Sequence, residues 1–255
     1  MILHSKIYGQ GQGLLVLHGL FGMGDNWTTL GKRWAEAYQV HLVDLRNHGK
    51  SFHADAMDYT LISDDILQYI RHHELSDPVL IGHSIGGKAV MQFALNHPEI
   101  PQKIIISDIA PKAYQPHHQK IIEAIKAVNF DQITTRKELD VFLIQSIPDW
   151  GTRALLSKNT YQKEDGRLAF RFYLQGIEKN YAILIQQDLQ GEVYKKPTLF
   201  LRGGASDYIS DEDFPLIRKY FSQAQIITIE KSSHWIHANR PAEFDKEVQV
   251  FLKVY

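Results

Sequence analysis

Apolar residues recur in short unbroken runs, at residues 14–18, 40–45, 79–82, 104–106, 198–201 and 226–229. Each run is rich in Val, Ile and Leu and is apolar on successive positions rather than on alternate ones. A strand reads that way when both of its faces are covered, the condition of a parallel sheet between two helical layers. Helix-length segments lie between the runs, at 25–38, 61–75, 84–96, 211–221 and 241–254. Asp25 is placed to cap the first, and Pro241 suits the first turn of the last, where no amide hydrogen is needed. Alternating βα order predicts an open α/β sheet. A first strand near residues 2–8 is expected to pair antiparallel at the sheet edge through the turn Gly9-Gln10-Gly11-Gln12-Gly13.

One stretch breaks the alternation. From about residue 112 to 194 no strand pattern stands out, whereas Ile121, Ile122, Ile125 and Val128, then Leu139, Phe142 and Leu143, recur at helical spacing. The chain therefore divides into a core of residues 1–111 and 195–255 and a helical cap inserted at 112–194. Trp150, Tyr161, Phe170, Phe172, Tyr173 and Tyr181 give the cap aromatic surface. Most are expected to pack its own core, and one or two to reach a ligand.

Composition narrows the function. The 28 basic and 29 acidic residues nearly cancel, leaving a net charge of −1, so neither a nucleic-acid coat nor a polybasic membrane binder is expected. With no cysteine, disulfides, thiol nucleophiles and thiolate metal sites are excluded. No apolar run approaches the ~20 residues that span a bilayer, and the start carries no secretory signal pattern. The expectation is a cytoplasmic protein without a stable membrane anchor.

Gly82-His83-Ser84-Ile85-Gly86 fits G-x-S-x-G, and it follows one apolar run and opens a helical pattern. Small residues on either side allow a strained backbone at Ser84, whose hydroxyl then projects above the sheet at a helix N-terminus. A serine hydroxyl needs a base within reach. Of the 13 histidines, His234 stands out, because it lies in a loop between the last strand and the last helix. His83 is read as structural, since adjacent residues on a sharp turn point apart. His237 forms H-x-x-H with His234 but lacks a third ligand nearby, which argues against a metal site. An acid must orient the imidazole, and two aspartates compete: Asp108, just past the run 104–106, and Asp207, just past the run 198–201. His18-Gly19-Leu20-Phe21-Gly22 follows the first long run, and an amide of Leu20 or Phe21 together with that of Ile85 would form an oxyanion hole.

These segments, with Asp44-Leu45-Arg46-Asn47-His48-Gly49-Lys50-Ser51, Asp108-Ile109-Ala110-Pro111 and Ser233-His234-Trp235-Ile236-His237-Ala238, resemble the α/β-hydrolase superfamily, and more narrowly the YbfF-type esterases. The match covers about residues 13–111 and 197–254 and is weak across the cap. The resemblance implies an α/β-hydrolase fold, mostly parallel and flanked by helices, with a helical cap between strands 6 and 7. In this chain those are the strands ending near Ile106 and starting near Thr198. It also implies hydrolysis of small-molecule acyl esters, or acyl-CoA thioesters, with no metal or organic cofactor. The D-I-A-P segment of such relatives favours Asp108 as the acid, whereas the wider superfamily's habit favours Asp207.

Other readings keep part of this set. A carbon–carbon hydrolase or lactonase would use the same serine, and a ligand receptor would keep the pocket without the chemistry. Residues 82–88 also satisfy G-x-x-x-x-G-K, which in a nucleotide-binding loop would bring Lys88 to a phosphate, although Ala89 stands where a magnesium ligand belongs.

Overall fold

The structure is a computed structural model and describes residues 1–254. Its elements run β1 (Ser5–Tyr8), β2 (Gly13–Leu17), α1 (Thr28–Trp34), β3 (Gln39–Val43), α2 (Tyr59–His72), β4 (Val79–His83), α3 (Ile85–Asn96) and β5 (Lys103–Ser107). Next come α4 (Gln119–Lys126), α5 (Arg136–Leu143), α6 (Trp150–Lys158), β6 (Thr160–Gln162), β7 (Leu168–Phe170) and α7 (Leu174–Gln186). The chain closes with β8 (Thr198–Gly203), α8 (Phe214–Tyr220), β9 (Ala224–Ile229), α9 (Ile236–Asn239) and α10 (Pro241–Val254).

Seven strands form one sheet in the order β1-β3-β2-β4-β5-β8-β9, parallel except for β1. Every position of β2, β4 and β5 is buried, and alternate residues serve opposite faces. Leu15, Leu80, Ile104 and Phe200 pack with Ile66 of α2 and Phe93 of α3. Leu14, Val79, Ile105 and Leu199 pack with Trp34 of α1 and Phe244 of α10. Two covered faces are why the strands read as continuous apolar runs.

The sequence expectation failed at several points. β1 does lie antiparallel at the edge, but its partner is β3, with Ser5 opposite Val43, and not the strand across the Gly9–Gly13 turn. Asp25 sits inside a short 3₁₀ turn, where its carboxylate receives the Lys6 ammonium rather than capping α1. The segment between β5 and β8 holds four helices and also the β6–β7 hairpin, which pairs Thr160 with Phe170. That segment does lie between the strand ending at Ser107 and the strand starting at Thr198, which are the fifth and sixth strands of this sheet in chain order.

Parallel pairing brings the strand ends to one rim. Leu17 lies opposite Gly82, His83 opposite Ser107, and Ser107 opposite Leu201. The order reverses between β2 and β4, since β2 has β3 on its other side, and a sheet opens a crevice at such a switch. The residues that follow β2, β4, β5, β8 and β9 all emerge there.

Candidate active site

Ser84 stands between β4 and α3 with φ +53° and ψ −122°, a left-handed backbone that costs a side-chain-bearing residue about 1–3 kcal/mol. The flanking glycines are needed for contact as well as conformation. A Cβ on Gly82 would come within 2.3 Å of the Gly86 carbonyl oxygen, and one on Gly86 within 2.5 Å of the carbonyl oxygens of Leu17 and His18. The turn is thus pressed directly against the loop that follows β2. The Ser84 amide donates to the Ser107 carbonyl at 3.1 Å, which ties the turn to β5.

Asp108, the residue after β5, is fully buried and also has a positive φ, +51°. Its carboxylate accepts the Gly203 amide at 2.8 Å, the Ser206 hydroxyl at 2.5 Å and the His234 Nδ1–H at 2.8 Å. Asp207, the other candidate acid, is exposed on the surface of the next loop. Of the two, Asp108 is the one joined to the imidazole.

His234 is held on three sides. Asp108 takes Nδ1, the Tyr208 ring stacks on the imidazole with centroids 3.7 Å apart and planes 14° apart, and the His234 carbonyl accepts Nε2–H of His83 at 2.9 Å. His83 is completely enclosed, and burial together with the neighbouring imidazoles holds its pKa well below the usual histidine value. It acts as a neutral donor bracing the loop, in keeping with the structural reading of its place beside the serine.

The loop after β2 carries Leu20 and Phe21. Phe21 has φ +59°, and its amide already donates to Nε2 of His48 at 3.2 Å. His48 Nδ1–H donates to the Arg46 carbonyl at 2.9 Å, so the ring is neutral with its hydrogen on Nδ1. Burial pushes the His48 pKa down to about 3, which keeps Nε2 available as an acceptor. The Phe21 carbonyl is taken from the other side by the side-chain amide of buried Asn159, just past α6. His18 sets the start of the loop, its Nε2 accepting the Leu45 amide at 3.0 Å. Ile85 opens α3, so its amide has no acceptor one turn back within the helix.

Leu20, Phe21, Ser84 and His234 line one cavity of about 200 Å³. The segment between β5 and β8 closes it with His117, His118, Ile121, Thr152 and Leu155. None of the six aromatic residues singled out in that segment lines the cavity. Phe170 and Phe172 stack on each other, Tyr181 holds the backbone at His117 and His118, and Trp150 is exposed beside a neighbouring groove.

Lys88 corrects the nucleotide-binding reading. Its side chain is buried within α3, and Nζ donates to the Gln187 carbonyl at 3.1 Å while lying 5.2 Å from the Tyr59 ring centroid. It faces away from the glycine turn, where a phosphate would have to sit. His237 stacks on Trp27 with centroids 4.0 Å apart, and no group of three or more His, Cys, Asp or Glu placed to hold a metal ion occurs among the described residues.

Residues 14–247 match the model of the Alpha/beta hydrolase family. The chain belongs to that family. This hydrolase is 34% identical over 247 residues to the sn-1-specific diacylglycerol lipase ABHD11 of Mus musculus, covering 94% of the chain and 80% of that protein. It is 28% identical over 240 residues to Esterase YbfF of Escherichia coli K12, covering 94% and 92%. Among solved structures, a "Marine microorganism esterase" superposes with a TM-score of 0.94 at 38% identity over 98% of this chain and 99% of that one.

Sequence reasoning gave no role to His48, Asn159, Ser206 or Tyr208. His48 lay within the quoted segment 44–51, so a signal existed. The other three join the site only through contacts of long sequence separation: Asn159 to Phe21, Ser206 to Asp108 and Tyr208 to His234.

Proposed function

We propose that this protein is a serine hydrolase that cleaves small-molecule carboxylic esters, with Ser84 as nucleophile, His234 as base and Asp108 as the acid that orients it. The observation that carries the reading is the 2.8 Å bond from His234 Nδ1 to buried Asp108, in a loop that shares a cavity with Ser84. Asp108 fixes the imidazole hydrogen on Nδ1, which leaves Nε2 free to take the Ser84 proton as Oγ bonds to the substrate carbonyl carbon. The tetrahedral oxyanion is held by the amides of Leu20 and Ile85, because the Phe21 amide is committed to His48. Collapse breaks the carbon–oxygen bond, and His234 returns the proton to the departing alcohol. A water, losing its proton to His234, then attacks the acyl-enzyme to release the carboxylic acid and restore Ser84.

The relatives named esterase and lipase support ester hydrolysis. The cavity lining includes no Lys or Arg, which favours uncharged esters over phosphate-bearing acyl-CoA thioesters. Its volume suits short or medium acyl chains. Residues 112–194 act as a cap, because five of the lining side chains come from them. A non-catalytic receptor would have no use for the strained backbone at Ser84.

The test is Ser84→Ala assayed on p-nitrophenyl butanoate. Loss of turnover is expected, and an unchanged rate would refute the nucleophile.

A further inference from the structure

Three polar contacts converge on one phenol, Tyr181, behind the part of the cavity wall formed by His117 and His118. The backbone amides of His117 and His118 both point at the Tyr181 hydroxyl oxygen, at 3.1 Å and 2.9 Å, and His118 Nδ1 lies 3.0 Å from the same atom. A phenol has a single hydrogen. With two N–H groups donating to its oxygen, that hydrogen is left for His118 Nδ1, which is therefore the acceptor. A neutral ring accepting at Nδ1 carries its own hydrogen at Nε2. Burial, with the neighbouring imidazoles, holds the His118 pKa down to about 3, so the ring stays neutral across the physiological range.

No hydrogen bond from Nε2 occurs among the described residues, and His118 lines the catalytic cavity. Neighbouring His117 is different, for both of its nitrogens are engaged. Nδ1–H donates to the Gln115 carbonyl at 2.8 Å, and Nε2 accepts the Tyr208 hydroxyl at 2.5 Å. His118 thus brings an uncommitted donor to the cavity.

Its position indicates which half of a substrate it meets. The His118 ring is 4.0 Å from that of His117, which is bonded to Tyr208, which in turn stacks on His234. His118 therefore lies on the side of the cavity that carries the base, with His117 and Tyr208 between them. The departing alcohol takes its proton from that base, so the alcohol half of the ester occupies this side.

We propose that His118 is a substrate-binding residue whose Nε2–H takes an acceptor oxygen on the alcohol half of the ester. The site then favours partial esters of diols or glycerol-like alcohols over plain alkyl esters. The inference rests on the catalytic reading above and adds a substrate class to it.

The test compares kcat/KM for methoxyethyl butanoate and butyl butanoate, which differ by one ether oxygen in place of a methylene. Comparing the ratio between wild type and His118→Phe cancels the difference in hydrophobicity between the two esters. The wild-type ratio is expected to exceed that of His118→Phe by roughly fivefold, the worth of one neutral hydrogen bond. His118→Gln, whose amide can donate from a similar position, is expected to retain it. If His118→Phe does not fold, Tyr181→Phe serves, since it removes the hydrogen that fixes the His118 tautomer, and a lowered ratio supports the proposal. An unchanged ratio with Ser84→Ala inactive overturns this inference alone. Turnover by Ser84→Ala would overturn the catalytic assignment and this inference with it.

Discussion

Nε2 of His48 accepts the backbone amide of Phe21 at 3.2 Å, joining two residues 27 positions apart. The bond holds Phe21 in its left-handed conformation and so sets the direction of the preceding Leu20 amide. Replacing His48 with Ala should lower kcat for p-nitrophenyl butanoate about 10- to 100-fold with a smaller change in KM, because misplacing a donor by ~1 Å costs that much. Steady-state kinetics checks this, and a change confined to KM would contradict a role in aiming the loop.

Asp108 and Asp207 should separate widely. Asp108→Asn keeps the shape of the carboxylate but removes the charge that fixes the His234 tautomer, and a loss of ~10³–10⁴ in kcat is expected. Asp207→Asn alters an exposed side chain and should stay within about threefold of wild type. Assayed together on one ester, comparable losses from the two variants would rule out Asp108 as the dedicated acid.

Stability should fall in mild acid. Burial pushes the pKa of His18 down to about 4, His41 to about 4 and His48 to about 3. In the unfolded chain each returns to an ordinary value near 6.5. Between pH 6.5 and about 4 the unfolded state therefore binds protons that the folded state does not, and stability drops as the pH falls through that window. Each such histidine contributes at most ~1.4 kcal/mol per pH unit there, and nothing above it. Urea midpoints should be level from pH 8 to 7 and fall clearly by pH 5; equal midpoints at pH 7 and 5 would show that these rings are not held neutral.

Lys88 offers a contrasting case. Burial pushes its pKa down to about 8, so the folded state holds this ammonium at a cost that fades between pH 8 and its ordinary value of 10.5. Stability from this group rises with pH through that range. Lys88→Met should remove the dependence and keep ester hydrolysis within about threefold, since Nζ meets Gln187 and Lys88 does not line the cavity of Ser84 and His234. Thermal unfolding at pH 7 and pH 9.5, alongside the ester assay, checks both points, and loss of activity in a folded variant would place Lys88 in the site after all.

The order of Ser84 and His234 and the strands that carry them were legible in the sequence. Burial on both faces leaves continuous apolar runs, and the turn at Ser84 demands small neighbours whose clashes would be with backbone. The β6–β7 hairpin was not legible, because strands of three residues are too short to show alternation. The choice between Asp108 and Asp207 was likewise open, since both follow strands of the same sheet. Depth separates the two in the structure: Asp108 lies in the interior, where Gly203, Ser206 and His234 meet its two oxygens, while Asp207 is exposed one residue past Ser206. Local pattern determines which segments become strands and turns. Which side chains then touch depends on sheet order and register, and these join residues more than a hundred positions apart through contacts that leave no periodic trace along the chain.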